Sequence, residues 1–457
     1  MSSLLGTISI AMGALEAQQA GLATTSNNIA NLNTPGYTRE QPILQEADPI
    51  INNGITYGQG VTLQGIESLR DSILQLQIDS ETQQQGQAQA YVNAMSQAQT
   101  LFPDDTSGIG QQISNFFQSL NSLSTDPSNL ALRQSVLSAA GSMASAFNGT
   151  ANGLSAVRSS LDQNVQQAVG EVNQITQQIA GLNAQIAGVS SGSQGYGSFL
   201  DQRDNLVQKL SGLIDVSVIN NGTSITLTTK QGAALVAGNQ SFALSTALDP
   251  ASGVQHIYSQ GTDITSEISS GQLGGFLQAR DQTLPAMQAQ LDSLAGGLVQ
   301  ALNTANAKGF DLNGNAGGNL FSPVSGAGAA ASMTVAITDP SLLAASSDGT
   351  TGSNGNLTNL SAVANQAVSN GMTPTGAYGN LVFQVGTAVS GGNTELDASN
   401  TMLTQLQQQQ ASVSGVSLDE EASNLMLYQR GYQAAAEAIS AVDQMMQTII
   451  QMPGANT

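Results

Sequence analysis

The chain has 457 residues, with 10 Lys and Arg against 31 Asp and Glu and a formal net charge of −21, a balance that argues against nucleic acid and anionic membrane surfaces as partners because both are held through clustered basic side chains. It contains no Cys and a single His, which removes disulfides, thiolate chemistry and multi-histidine metal sites, and no cofactor is implied. Charged residues make up only 9% of the chain, against the ~25% usual in globular proteins, so its polarity rests on Ser, Thr, Asn, Gln and Gly.

The first segment has neither a charged leader nor a long apolar run, and reads as neither a secretory signal nor a membrane span. It carries a seven-residue repeat instead. Ile8, Leu15, Leu22 and Ile29 occupy one heptad position, and Leu4, Ala11, Gln18, Thr25 and Leu32 its partner, which predicts a long helix with a narrow seam. Glu16 is its only charge before Arg39. Thr34, Pro35, Gly36 and Tyr37 then end it, since proline drives the residue before it out of the α region and glycine accepts positive φ. A Gly-, Asn- and Pro-rich passage with short β-like runs extends to about Gly65.

From about Ile66 to Leu210 the pattern is helical, with Gln-rich tracts that read as helix faces. The period changes at "DVSVINNGTSITLTT", where alternating apolar residues flank Asn221-Gly222 as a hairpin turn, and strand-like pieces continue to about Ile264. His256 falls among them as an ordinary β residue. A helix is expected near Leu273–Asn306, a strand around Met333–Ile337, and helices again from about Leu357. The closing segment mirrors the opening one: Leu418, Leu425, Tyr432, Ile439 and Met446 form one row, and Tyr428, Ala435, Val442 and Ile449 the other. Ser417 with Glu420 fits a capping box, Asp419, Glu420 and Glu421 suit the positive end of the helix dipole, and Pro453 ends the helix.

This order predicts an α+β chain, elongated and multidomain. Residues 1–35 plus 411–457 would form a terminal α-helical coiled coil. Residues 36–214 plus 346–410, with the helices near 271–306, would form a helical-bundle middle domain, and 215–345 an inserted β-rich region. The termini would lie together at one end.

One apolar row packed on one other buries little for the chain it must order, and isolated helices are marginal. The opposite faces carry Ser, Thr, Asn, Gln and Gly rather than the Lys and Glu of a solvated helix, so they can lie against other protein without burying charge. Both features point to assembly. Other readings are weaker. Asp201 with Asp204, or Asp419 with Glu420 and Glu421, are paired carboxylates, but the first pair is expected to make ion pairs with Arg203 or Lys209 and the second to sit at a helix start. A Ser-His-Asp site around His256 lacks a G-x-S-x-G stretch. "DLNGN" places Asp311, Asn313 and Asn315 at alternate positions, but Gly314 stands where a calcium loop would not have it, and a turn is expected.

"ALEAQQAGLATTSNNIANLNTPGYTRE" and "SLDEEASNLMLYQRGYQAAAEAISAVDQMMQTII" resemble the two terminal signatures of the bacterial flagellar axial proteins. The interior stretches "LSTDPSNLALRQSVLSAAGSMASAFN", "FLDQRDNLVQKLSGLIDVSV", "LGGFLQARDQTLPAMQAQLDSLA" and "GFDLNGNAGGNLF" are similar, in the same order, to the first hook-associated proteins of that family. "NTANAKG" stands where that family often has a His-containing stretch. The resemblance implies a structural, non-catalytic subunit that joins hook to filament and templates filament growth, the alternative being another axial protein such as the hook subunit or the second junction protein. It also implies self-association in a ring, contacts with hook subunits and the second junction protein, and a cytoplasmic export chaperone at the C-terminal helix. The location implied is the extracellular flagellum, reached by type III export without a cleaved signal. Ile8, Leu15, Leu22 and Ile29 with Leu425, Tyr432, Ile439 and Met446 would be the assembly surface. Asn27, Asn28, Asn31 and Asn33 would support the turn or make lateral contacts.

Overall fold

A computed structural model describes residues 2–52, 55–103, 105 and 107–451. Helix α1 (Ser2–Ala30) is followed by an antiparallel hairpin. Its base pairs β1 (Glu40–Glu46) with β4 (Val61–Ser68), and its tip pairs β2 (Ile50–Asn52) with β3 (Ile55–Tyr57). Then come α2 (Ser72–Gln99), α3 (Ile109–Leu123), α4 (Leu130–Ala187) and α5 (Tyr196–Leu213). The Asp71 and Asn129 side chains cap α2 and α4 by accepting two backbone N–H groups each. At 58 residues, α4 is about 87 Å long.

The β pieces are short. β5 (Ser217–Asn220), β6 (Ile225–Thr228), β7 (Ala234–Ala237) and β8 (Gln240–Ser241) form one antiparallel sheet, and β9 (Leu244–Leu248), β10 (Gln255–Ser259) and β11 (Thr262–Asp263) another. Asn220 pairs with Ile225 around a four-residue turn in which Gly222 has φ +83. After α6 (Gly271–Gln278), a π turn (Ala279–Thr283) leads into α7 (Leu284–Asn306). α8 (Gly355–Ala362), α9 (Pro374–Ser414) and α10 (Leu418–Gln451) complete the chain. The predicted stop at Pro453 lies outside the described residues.

Two cores are strung along α4. Its first half, including Val136, Met143 and Phe147, packs with Phe116 and Leu120 of α3, Leu291 and Leu298 of α7, Leu360 of α8 and Leu381 of α9. Its second half, including Val165, Val172 and Ile179, packs with Leu210 of α5, Leu273 of α6, and Leu227, Leu235 and Ile257 of the sheets. Between the cores Arg280 is fully buried, held by Asp162 Oδ1 at 2.8 Å, the Gln255 carbonyl at 2.8 Å and the Asp281 carboxylate. A small third cluster joins Leu74 and Ile78 of α2 to Leu403 of α9.

The expected inserted region differs from the structure in two ways. Sheet is confined to 217–263, and 307–345 is loop with isolated bridges and one 3-10 turn (Pro340–Leu342), so Met333–Ile337 is no strand. Leu320, Phe321, Met333 and Leu343 satisfy their hydrophobicity by entering the first core. Buried side chains then supply the hydrogen bonds a sheet would have given. Asn303 brackets the Phe321 amide and carbonyl at 2.9 Å each, Asn306 bonds the Gly318 carbonyl and the Ala344 amide, and Asp292 accepts from Gly328 and Ala330. The 40–68 hairpin lies along α1 and touches the body at Gly192 and Gly197, and α9 stays with α2 to its end, where Gln410 donates to Gln75 at 2.9 Å.

Candidate assembly surface on the paired terminal helices

α1 and α10 lie antiparallel in a constant register. Asn28 meets Glu421, Gly21 meets Tyr428, Gln18 meets Gly431, and Leu4 shares a groove with Met445. Among the described residues, none of either helix belongs to the three apolar clusters of the body.

What this contact buries departs from the Ile/Leu row read as the seam. On α1 the buried positions are Ala11, Ala17, Gly21, Thr24, Thr25 and Asn28. Leu4, Ile8, Leu15, Leu22 and Ile29 are half-buried, and Leu32 is exposed. On α10, Glu421, Ala435 and Val442 are buried, and Leu425, Tyr428, Ile439 and Met446 half-buried. Leu418, Tyr432 and Ile449 are exposed. Small side chains let the two backbones approach, so the contact line follows Gly, Ala and Thr and leaves larger apolar residues toward the outside. A Cβ added at Gly21 would stand 2.5 Å from the Tyr428 ring.

The base of the pair is a polar latch. Asn28, 1% exposed, donates from Nδ2 to the Glu40 carbonyl at 2.9 Å and to Glu421 Oε2 at 3.1 Å. Its Oδ1 accepts the Glu40 amide at 3.0 Å and the Tyr37 hydroxyl at 2.8 Å. Both of its N–H donors and both oxygen lone pairs are thus used, on the chain just past the turn and on the start of α10. Arg39 adds ion pairs to Glu421 at 2.7 Å and Glu420 at 2.8 Å. Glu420, expected to reach back to the Ser417 amide, is drawn to Arg39 instead, because the chain leaving the turn passes beside the start of α10. Burial, with Glu40, Asp201 and Glu421 nearby, raises the Tyr37 hydroxyl above its ordinary value and keeps it a donor. Burial also raises the Glu40 carboxyl.

The turn residues serve this latch. Asn31 accepts from the Thr34 amide at 2.9 Å through its carbonyl and from the Thr34 hydroxyl at 3.1 Å through Oδ1. Asn31 also donates to the Asn27 carbonyl and side chain. Asn27 reaches the Tyr37 hydroxyl and Glu40, while Asn33 and Pro35 are exposed. Gly36 is needed twice over: its φ is +75, and an added Cβ would overlap the Asn205 side chain.

A second polar joint fixes the latch to the body. The Thr38 amide and hydroxyl donate to Asp201 at 3.1 and 2.6 Å, and Arg70 pairs with both Asp201 and Asp204. Arg203, the expected partner, turns away into the body, toward Asn183 Oδ1 and the Thr223 carbonyl. Periodicity could not locate Arg70, which lies more than 130 residues upstream. Burial raises both aspartates, against the pull of Arg70.

The remaining candidates are structural braces. Asp311 accepts the Asn313 and Asn315 amides at 2.8 Å each and closes a turn. His256 lies in β10, with Asp263 Oδ2 2.6 Å from Nδ1 and Ser252 Oγ 3.1 Å from Nε2. The order matches a Ser-His-Asp relay, but the Ser252 amide is taken by the Asp249 carboxylate at 2.8 Å, which puts negative charge where an oxyanion would need donors. Among the described residues no group of three or more His, Cys, Asp or Glu could hold a metal ion, and no helix is long and apolar enough to cross a membrane.

Known proteins resemble this chain along most of its length. The model of the flagellar hook-associated protein FlgK helical domain matches residues 95–321. Flagellar basal-body rod models match the ends, the FlgEFG C-terminal model at 407–452 and the rod-protein model at 8–38. Flagellar hook-associated protein 1 of Escherichia coli (strain K12) is 30% identical over 336 residues, covering 70% of this chain and 60% of the relative. The chain therefore spans about 60% of the length of that relative. The protein of the same name from Bacillus subtilis (strain 168) is 28% identical over 503 residues and 99% of each chain. The solved structure of the flagellar hook junction protein FlgK from Burkholderia pseudomallei matches with a TM-score of 0.68 at 20% identity, over 74% of this chain and 100% of that one, a likeness of fold.

Proposed function

The chain belongs to the FlgK family of flagellar hook-associated proteins, and from that premise we propose that it is a non-catalytic subunit of the hook–filament junction. It joins hook to filament and templates filament growth, assembling as a ring through its paired terminal helices. Its neighbours are hook subunits on one side and the second junction protein on the other. It reaches the extracellular flagellum by the flagellar export route without a cleaved signal, and a cytoplasmic chaperone holds its C-terminal helix beforehand.

One observation carries this reading. The α1–α10 pair is built by the chain itself, yet it leaves large apolar side chains outside, among them Leu418, Leu427, Tyr432 and Ile449. Exposed apolar surface on a helix pair outside every core of its own molecule marks a face for other protein. The predicted seam rows contribute from this outer side: Ile8, Leu15, Leu22 and Ile29 are only half-covered in the single chain.

Deletion of the gene in its host tests the proposal. Electron microscopy should reveal bare hooks, with flagellin lost to the medium and filaments restored by the intact gene. Loss of the hooks themselves would move the protein to hook or rod, and normal filaments would overturn the reading.

A further inference from the structure

We propose that Met12, Met426 and Met445 form a modification site on the terminal pair, and that their oxidation to sulfoxides by a peroxide disables the soluble chain for assembly. The second half of the inference rests on the junction-subunit reading above and names a chemistry that regulates that surface.

The methionines divide by region. Met95, Met143, Met287 and Met333 lie in the first core and are at most 3% exposed. Met12 of α1 and Met426 and Met445 of α10 are 59%, 54% and 49% exposed. Sulfur oxidation follows access of the oxidant. The folded chain therefore offers the sulfurs of the pair and withholds those of the core. With no Cys in the chain, these thioethers are the first sulfur that an oxidant meets.

The three stand among the apolar side chains that the pair leaves outside. Met426 adjoins Leu427, which is exposed, and Met445 lines a groove of about 540 Å³ with Leu4, Ala441 and Ile449. The reaction balances with the peroxide alone. The thioether sulfur attacks one peroxide oxygen, the S–O bond forms as the O–O bond breaks, sulfur is oxidised, and the other oxygen is reduced and leaves as water. The product is a polar, chiral acceptor in place of a flexible apolar group. In the free chain that oxygen stays hydrated, and the buried contact line of Ala11, Ala17, Thr24, Thr25, Ala435 and Val442 contains no methionine. Covered by another subunit, the same oxygen becomes a buried acceptor without a donor. Oxidation thus spares the fold and spoils the surface.

The purified full chain would be treated with dilute hydrogen peroxide, quenched with free methionine, and mapped by peptide mass spectrometry. Its binding to hooks isolated from cells lacking the gene would be followed by co-sedimentation. A gain of one oxygen at Met12, Met426 and Met445, ahead of the core methionines, is expected, with loss of hook binding and an unchanged melting temperature. The two methionine sulfoxide reductases, one for each epimer, should restore binding. The triple variant Met12→Leu, Met426→Leu, Met445→Leu, which keeps volume and apolarity, should bind with or without peroxide. Met402→Leu removes the 47%-exposed methionine of α9 and should stay as sensitive as the parent. Full binding by the chain oxidised at the three sulfurs, a triple variant as sensitive as the parent, or core methionines oxidised first would overturn the proposal. An untreated parent that does not bind hooks would instead bring down the junction reading itself.

Discussion

The helical body and the terminal pair are both antiparallel helix assemblies, yet opposite kinds of residue hold them. The body buries Phe116, Phe147, Met143 and Leu298 in continuous apolar cores. The pair buries Gly21, Thr24, Asn28 and Glu421 and leaves Leu427 and Tyr432 outside. Hydrophobic burial scales with apolar area and needs no orientation. The latch depends on each hydrogen bond being made, and a missing partner leaves a buried group unsatisfied. The body therefore carries its own stability, and the pair is held in place by its polar latch and leaves apolar side chains exposed.

The largest expected effect tests the first half of this comparison. Phe147 is fully buried in the first core, and Phe147→Ala should destabilise the body by about 3–5 kcal/mol. Urea unfolding followed by far-UV circular dichroism would measure it. A loss below about 1 kcal/mol would mean that the core does not carry the body.

The next effect is electrostatic and also belongs to the body. Asp79 is buried on α2, bonded by Gln75 at 2.9 Å, and burial raises its carboxyl from 3.8 to about 7, with a smaller contribution from Asp204. Between those two values the folded chain holds a proton that the unfolded chain releases, so this group makes stability fall as pH rises through the window and level off above it. The slope reaches up to about 1.4 kcal/mol per pH unit. Asp79→Asn, which mimics the protonated side chain, should match the parent near pH 4 and exceed it in stability near pH 8. Parallel stability–pH curves for the two proteins would refute the assignment.

How much of this contrast was legible in the sequence depends on the range of the signal. Heptads, hairpin turns and caps are local, and the order of helices and strands follows from them. Gly36 was readable for the same reason, since Pro35 beside it already announced a turn. Arg70, by contrast, reaches Asp201 across 131 positions, and no periodicity records such a pairing. Heptad reading lists both rows of each terminal helix, but it does not say that the contact within the chain follows the second rows, through Ala11, Thr25, Ala435 and Val442, because close helix contact here selects small residues and one asparagine. Within 307–345 the sequence predicts one strand, around Met333–Ile337, and the structure has none there. The backbone of that stretch is satisfied instead by Asn303, Asn306 and Asp292, whose side chains do the work of absent strands.

The latch supplies a smaller effect, confined to the pair. Asn28→Ala strips the Glu40 amide and Glu421 of a buried partner and should cost about 1–3 kcal/mol. We expect hydrogen exchange to accelerate across α1 and α10 with no change in the unfolding midpoint of the body. In the parent the same experiment should find α1 less protected than α4 in the soluble chain, because α1 lacks an apolar core of its own. Equal protection over Leu4–Leu32 and the body helices would dissolve the distinction between the two regions.

The smallest effect on the monomer sharpens the comparison most. Leu418 opens α10 and is 52% exposed, so Leu418→Ser removes almost no contact within the chain and should change monomer stability by less than about 0.5 kcal/mol. A body residue this silent in the monomer would also be silent in cells. If the outer face of the pair is completed by neighbouring chains, each copy in the ring loses the same contact, and the defect is multiplied around the assembly. Filament attachment in cells carrying Leu418→Ser should then fall while the purified protein unfolds as the parent does. Normal attachment would place Leu418 outside the contact and move the shared surface toward Tyr432 and Ile449.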